Sequence, residues 1–568
     1  MPTPRGQRLS AAGGRWLADG GAALPAWPIL GGLCLASAIT MVALGSRLTF
    51  FNDDWVFLLG RPGFTFDSLL SPYNGHLNLI PVLTWKALVA LFGLDSQFPF
   101  RIALASLNAA LAALVFVFVR ERAGQLLALL AAALLLFLGP AWEALIFFSP
   151  SVLLGSLTAG VAALLALEQD TPRRNLVACG LLLVSVLTSN LGLAFVVAAA
   201  VAVALRRRPS QAWLPAAPAV LFAVWWLVKG REAHETDITL GNLARLPGYV
   251  LDSISSGLAS LTGLTQVGGG EYDPLAWGRP LLALALVGTI VWLRRGGRPS
   301  RFALVIAAAG LTFWVLAGAD FTPPGDEPTA SRYQMVSAVF LILLAAEAFR
   351  PVRLSPPTLG AVTILALVAI GSNLAVLKDG YNLLRHQSQI SKADLGALDI
   401  ARGHVRSGFG LGEEEAGTPY LFGVTAGAYY RERDSHGSPA YTPAEIAAAD
   451  PDVRRPADQV LVSGYRLRLV EDNRPGRIRG PGCRRLAPDF DAGAVSIVLP
   501  PGGATISNRG VEAAKISLRR FAPPRLAIDL GTVGPGFSAR LAVPRDRVRV
   551  PWRLGARGAP IGVCAIGG

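Results

Sequence analysis

"FFNDDWVFLL" (residues 50–59) places two adjacent carboxylates, Asp53 and Asp54, directly after the apolar run "WPILGGLCLASAITMVALGSRLTF" (27–50). Aromatic and aliphatic residues enclose the pair on both sides. Carboxylates are costly to take out of water, so a pair at the mouth of a membrane-length segment needs a reason.

The rest of the chain sets the context. Of 568 residues, 52% are hydrophobic and 16% charged, and the mean hydropathy is +0.46. A soluble chain of this length carries more charge and shorter apolar runs. Several runs here approach the ~20 apolar residues that cross a ~30 Å hydrocarbon core. The composition therefore predicts a polytopic α-helical membrane protein. The net charge of +14 is concentrated in short clusters between apolar runs: "RER" (120–122), "PRR" (172–174), "RRR" (206–208), "RRGGR" (294–298) and "RPVR" (350–353). The positive-inside rule accounts for that pattern. No basic stripe with interleaved aromatics is present, so nucleic acid is not an expected partner; the bilayer is.

With the basic clusters as cytoplasmic markers, residues 1–27 form a cytoplasmic segment and a first, uncleaved span runs over 28–48. The next marker is "RER", so "HLNLIPVLTWKALVALFGLD" (76–95) cannot be a crossing. It reads as an amphipathic helix at the outer interface, inside a long external loop, 49–97. About eleven spans follow from this count. They include two short helices that meet at "TSNLG" (188–192) and leave a long external loop over 229–275. The membrane domain is then 28–379, and 380–568 lies outside the cell membrane. That tail opens on an amphipathic stretch, "ISKADLGALDIARG". Short alternating runs such as "QVLVSGYRLRLV", "VSIVLP", "ATISN" and "KISLRRF" follow, separated by Pro and Gly, which predicts a β-rich domain. Cys34 and Cys179 lie in apolar runs. Cys483 and Cys564 lie in the tail, where an oxidising compartment would let them form a disulfide.

Three polar features fall at the external ends of the spans: Asp53-Asp54-Trp55, Trp142-Glu143, and "ASRYQ" with Arg332 and Tyr333. A solvated pair or an N-cap would explain Asp53 and Asp54, but neither needs the aromatic setting of Phe51, Trp55 and Phe57. A carboxylate partly desolvated there becomes a better base. Arg332 has a plain reading as an interfacial anchor. Because the positive-inside rule disfavours an outward arginine, a phosphate clamp is the sharper one. Glu143 fits an ordinary loop acid, His76 a helix cap and Lys86 a snorkelling lysine. No motif demands a cofactor, and metal-ligand spacing is absent, although Asp53 and Asp54 could hold a divalent cation through oxygen.

Residues 28–210 resemble the GT-C superfamily of polytopic glycosyltransferases, which includes protein O-mannosyltransferases and lipid A aminoarabinose transferases. The shared pattern is a first span, an acidic pair, an interfacial helix with Pro and Trp, "LFG", then an arginine opening the second span. Here these are "DDW", Pro81, Trp85, Leu91-Phe92-Gly93 and Arg101. The resemblance implies an outward-facing site that uses a polyprenyl-phosphate-linked sugar, with Asp53 at the catalytic acid position and Asp54 its neighbour. A lysine that precedes the proline in some members and contacts donor phosphate is replaced by "NLI". Phosphate binding then falls to Arg332, Lys86 or Arg101, with Tyr333, His76 and Glu143 nearby in the topology. The implied activity is sugar transfer to an extracytoplasmic glycan, lipid or protein. The rival readings are a transporter or flippase for lipid-linked sugars, and a membrane anchor that displays a β-rich binding module. Charges gathered at one face rather than inside spans favour transfer over transport.

Overall fold

The computed structural model describes residues 25–50, 53–148, 151–232, 238–322, 326–350, 354–412, 420–472, 483–487 and 496–566. The N-terminal segment up to residue 24 and Phe51 lie outside them. The chain divides into two units: 1–46, 63–87 and 98–382 form the first, and 47–62, 88–97 and 383–568 the second.

The first unit is helical. Its helices are α1 (Ala26–Gly45), α3 (Phe66–Leu70), α4 (Leu79–Phe92, completed in the second unit), α5 (Phe98–Ala123), α6 (Gln125–Leu136), α7 (Trp142–Ile146), α8 (Ser151–Glu168), α9 (Pro172–Thr188), α10 (Gly192–Arg206), α11 (Trp213–Val228), α12 (Leu240–Thr262), α13 (Pro274–Arg294), α14 (Arg301–Ala319), α15 (Ser331–Phe349) and α16 (Pro356–Ile400). The short helix α2 (Asp53–Leu59) belongs to the second unit. Among the described residues, eight helices are long and apolar enough to cross a membrane. A ninth arises if α6 and the 139–146 segment, bent by 44°, make one span. The expected total of about eleven is reached only with α9 and α10, whose 17 and 15 residues fall short of a full crossing. Residues 229–275, expected as one long external loop, contain regular structure. They carry α12, whose buried serines are spaced along one face. Ser256 and Ser260 both donate to the Gln334 side-chain oxygen on α15 at 3.0 Å, so a polar helix is packed by hydrogen bonds rather than by apolar area.

Contacts inside this unit sort the helix ends into two sets. At one set, the buried Arg122 (α5) pairs with Glu168 (α8) at 2.6 Å and with the fully buried Glu347 (α15). Glu347 also accepts from Ser300, the cap of α14, at 2.5 Å. Asp170 accepts from Arg206 and Arg208 nearby, at 3.2 and 2.9 Å. At the other set lie the 73–78 turn, α7, the α9–α10 junction and the 320–332 segment, where the candidate site forms.

Among the described residues, the second unit holds α2, the last part of α16, α17 (Ala426–His436), α18 (Pro443–Ala448), α19 (Pro451–Gly464) and nine strands. The strands are β1 (Val470–Asp472), β2 (Arg484–Leu486), β3 (Ser496–Val498), β4 (Gly503–Asn508), β5 (Ala514–Arg519), β6 (Ile528–Val533), β7 (Ser538–Ala542), β8 (Arg553–Arg557) and β9 (Ile561–Ala565). They pair antiparallel into a five-stranded sheet, β1-β7-β4-β9-β2, and a four-stranded one, β3-β8-β5-β6. Ile506, Leu541, Val563, Ile516, Leu518 and Leu554 supply buried apolar faces. A disulfide joins Cys483 to Cys564 with their Cα atoms 4.2 Å apart, one residue beyond the Arg484↔Val563 pair of the β2–β9 ladder. Two sequence expectations change here. "ISKADLGALDIARG" is not a separate stretch but the end of the 45-residue α16. "QVLVSG" is helix, the end of α19, which starts at the Asp450-Pro451 cap signal.

Candidate functional site

The polar cluster of the first unit is assembled from four separate segments. Tyr73-Asn74-Gly75-His76 closes a two-residue hairpin turn. Tyr73 and His76 exchange backbone hydrogen bonds of 3.3 and 2.9 Å, and Asn74 and Gly75 both have positive φ, 47° and 69°. Asn-Gly is the pair that adopts this conformation at least cost. Asn190, at the α9–α10 break, grips that turn: its amide donates to the Gly75 carbonyl at 2.9 Å and its oxygen accepts from the Leu77 N–H at 3.3 Å. His76 is thereby held partly buried and hydrogen-bonded to Asn190. Burial pushes its imidazole down to about 4, with Asp326 and Arg332 as opposing charged neighbours. At neutral pH it is an uncharged donor-acceptor rather than a cationic clamp.

The other half of the cluster forms at the start of α15. Arg332 donates to Asp326 Oδ1 at 2.7 Å, and the Tyr333 hydroxyl donates to the same oxygen at 3.1 Å. Asp326 lies just ahead of the helix N-terminus, where a negative charge is favoured. Its own carbonyl accepts from the Tyr249 hydroxyl at 2.9 Å, which fixes the segment. The Ser331 hydroxyl accepts from the Glu143 N–H at 3.0 Å, so α7 is tied to the same helix end and Glu143 acts electrostatically on Arg332. Asp320 follows the last residue of α14; burial, with the Asp326 charge, raises its carboxyl to about 6.

The structure therefore brings His76, Glu143, Arg332 and Tyr333 together. It adds Asn190, Asp320 and Asp326, none of which the sequence alone assigns to the site. Arg332 is ion-paired, so an incoming anion would meet a guanidinium already fixed by a carboxylate. Lys86 is engaged elsewhere in the unit: its ammonium donates to the Gly63 carbonyl at 2.6 Å and lies 5.1 Å from the Phe64 ring centroid. Arg101 is buried, with its stem against Gly45 of α1 so closely that a Cβ there would meet the Arg101 Cδ at 2.7 Å. Trp85 of the family pattern packs on Phe100 and Phe148, with centroids 4.9 and 5.2 Å away. It is a packing residue.

Asp53 and Asp54 belong to the second unit, where they open α2 and place two negative charges in its first turn. Asp54 is buried and Asp53 half-buried. Trp55 locks the helix: it is 1% exposed, donates to the Phe50 carbonyl at 2.8 Å and meets Tyr429 of α17 edge-on at 6.1 Å. "LFGLD" is anchored in the same unit. Gly93 adopts φ +69°, and a Cβ on it would come 2.6 Å from the His436 carbonyl oxygen. That oxygen accepts from the Leu94 N–H at 2.7 Å. Among the described residues, no group of three or more His, Cys, Asp or Glu side chains is arranged to hold a metal ion.

No family model and no curated protein matches the chain. Solved structures similar to it include the following two. ArnT from Cupriavidus metallidurans bound to undecaprenyl phosphate is 13% identical over 66% of this chain and 81% of that one, with a TM-score of 0.41. Arabinosyltransferase EmbB from Mycobacterium smegmatis is 14% identical over 94% of this chain and 64% of that one, with a TM-score of 0.32. Likenesses this loose carry no inference about the residues here.

Proposed function

We propose that the chain is a membrane glycosyltransferase that moves a sugar from a polyprenyl-phosphate-linked donor to an extracytoplasmic glycan, lipid or protein acceptor. The observation that carries this is the acidic pair. It follows the first span, opens a short helix and is immobilised through Trp55, at the position the GT-C pattern reserves for its acid. Asp53, the more accessible of the two, is assigned as base and Asp54 as the group that orients it. Asp53 takes the proton of an acceptor hydroxyl, whose oxygen attacks the anomeric carbon. The bond from that carbon to the phosphate oxygen breaks, and polyprenyl phosphate leaves with the electron pair. Phosphate is a good leaving group, so no strong acid is needed. Its charge is assigned to Arg332, with neutral His76 as a further donor and Tyr333 holding the Asp326 carboxylate that fixes the arginine.

The orientation belongs to the same proposal: N-terminus in the cytoplasm and the second unit outside, where the Cys483–Cys564 bond is stable. The test is transfer by purified protein from a polyprenyl-phosphate sugar. Asp53→Asn preserves size and should lose ~10²–10⁴-fold in rate, while Asp54→Asn loses less. Unchanged transfer by Asp53→Asn would remove it from the mechanism. If Asp54→Asn is the dead variant, the base moves by one residue.

A further inference from the structure

A cavity of about 1120 Å³ opens within the second unit. Pockets for a drug-sized molecule span ~300–1,000 Å³, so this one has room for a chain of small units rather than one. Its walls come from the end of α16 and the residues after it, from α17, from the segment joining α17 to α18, and from the 545–548 loop.

The charged groups on the walls are of two kinds. Three carboxylates line it, and each has a partner inside the unit. Asp399 pairs with Arg433 at 2.8 Å. Asp95 accepts from the Ser438 N–H at 2.9 Å. Asp546 turns inward and takes two bonds from buried Arg520, at 2.6 and 2.8 Å, and one from the Tyr465 hydroxyl at 2.9 Å. A second arginine on the wall, Arg402, is held by Asp434 through bonds of 2.7 and 2.5 Å. Arg545 and Arg547 are different. They flank Asp546, and both are exposed residues that line the cavity. Among the described residues neither makes an ion pair or hydrogen bond. Arg520 also donates to the Val548 and Val550 carbonyls, at 3.1 and 2.9 Å. The loop that presents the two cations is therefore fixed before any ligand arrives, and ordering it on binding costs little.

We propose that this cavity binds an anionic oligosaccharide, with Arg545 and Arg547 holding its phosphate or carboxylate groups. Guanidinium forks match both groups. The Asp399–Arg433 and Arg402–Asp434 pairs offer planar acceptors and donors to ring hydroxyls, and Tyr441 gives the wall an aromatic ring. The site goes beyond the transfer reaction and is tested by binding alone.

The experiment is calorimetric titration of the full-length protein in detergent with tetragalacturonic acid, phosphorylated maltotetraose and neutral maltotetraose. At least one acidic ligand should bind about tenfold or more tightly than maltotetraose, the worth of one or two charge-assisted bonds. Which acid does so distinguishes carboxylate from phosphate recognition. R545A/R547A should abolish that preference without moving the thermal midpoint, because both side chains are exposed, and Arg547→Gln alone should give an intermediate loss. Equal affinity for all three ligands, no binding of either acid, or a preference that survives R545A/R547A would overturn the proposal. Binding to phosphatidylglycerol vesicles without binding to either acidic saccharide would overturn it as well, in favour of a lipid surface.

Discussion

His76 and Asp320 act on the same charged cluster with opposite signs. The imidazole is pushed down from 6.5 to about 4, so between those values the unfolded chain takes a proton that the folded one refuses. Stability falls as the pH drops through that window. The Asp320 carboxyl is raised from 3.8 to about 6. As the pH drops from 6 towards 4 the folded state gains the proton first, and stability rises. Both side chains are partly exposed, so solvent screens the share of each. Relative to the unaltered protein, His76→Gln should gain thermal stability on going from pH 6.5 to 4.5, and Asp320→Asn should lose it. Melting curves in detergent that shift both variants in the same direction would refute this. At this scale the sequence showed Arg332, Tyr333, Glu143 and His76 because each stands out beside an apolar run. Asp326 was hidden: an acid in "PPGDEPT" reads as a solvated loop residue until folding closes the six-residue gap to Arg332. Asn190 was hidden because the gap it bridges, to Gly75 and Leu77, is more than a hundred residues long.

Among the helices, Arg122 shows how a basic marker can also be a structural bolt. It stacks over Phe118 at 3.5 Å and joins α5 to α8 and α15 through two carboxylates, one of them fully buried. Arg122→Ala would leave Glu347 buried without its cation, a change that costs ~3–5 kcal/mol when one partner of a buried pair is removed. Arg122→Ala/Glu347→Gln should recover part of the loss, since the second change discharges the orphaned carboxylate. Thermal unfolding of the two variants measures both, and equal midpoints would show that Glu347 does not depend on Arg122. The long spans were legible in the sequence because ~20 apolar residues admit one structure in a bilayer. Two elements were not. α12 is held by serine–glutamine bonds, which leave no hydropathy signal. "QVLVSGYRLRLV" alternates like a strand, yet the Pro451 start signal and burial of Val453, Ala457, Val460 and Leu461 at helical spacing prevail over the alternation.

For the whole molecule, the orientation is open to a direct experiment. Val511 is 94% exposed, and Ser210 lies at an exposed turn beside the "RRR" cluster. Ser438 is a poorer probe of the tail because its hydroxyl pairs with Tyr429 at 2.6 Å. A membrane-impermeant thiol reagent on intact cells should label Val511→Cys and leave Ser210→Cys unlabelled until the cells are opened; the reverse would invert the topology. The two-part architecture was readable from composition, since apolar runs give way to short Pro- and Gly-separated segments near residue 380. What composition could not convey is that residues 47–62 and 88–97, far upstream, are built into the second unit. Chain proximity to the first span made them look like membrane loops.

The Cys483–Cys564 link also has a consequence in time. The two thiols are 81 residues apart, and chain synthesis runs at ~5–20 residues per second, so the first waits ~4–16 s for the second to be made. Through that interval β2 has no β9 to pair with, and Cys483 is open to mixed disulfides with other emerging chains. In a pulse-chase experiment on non-reducing gels, the chain should gain its compact, oxidised mobility only after Cys564 has been made. Cys564→Ser should leave a persistent population crosslinked through Cys483, and its absence would mean that Cys483 is already shielded before its partner arrives.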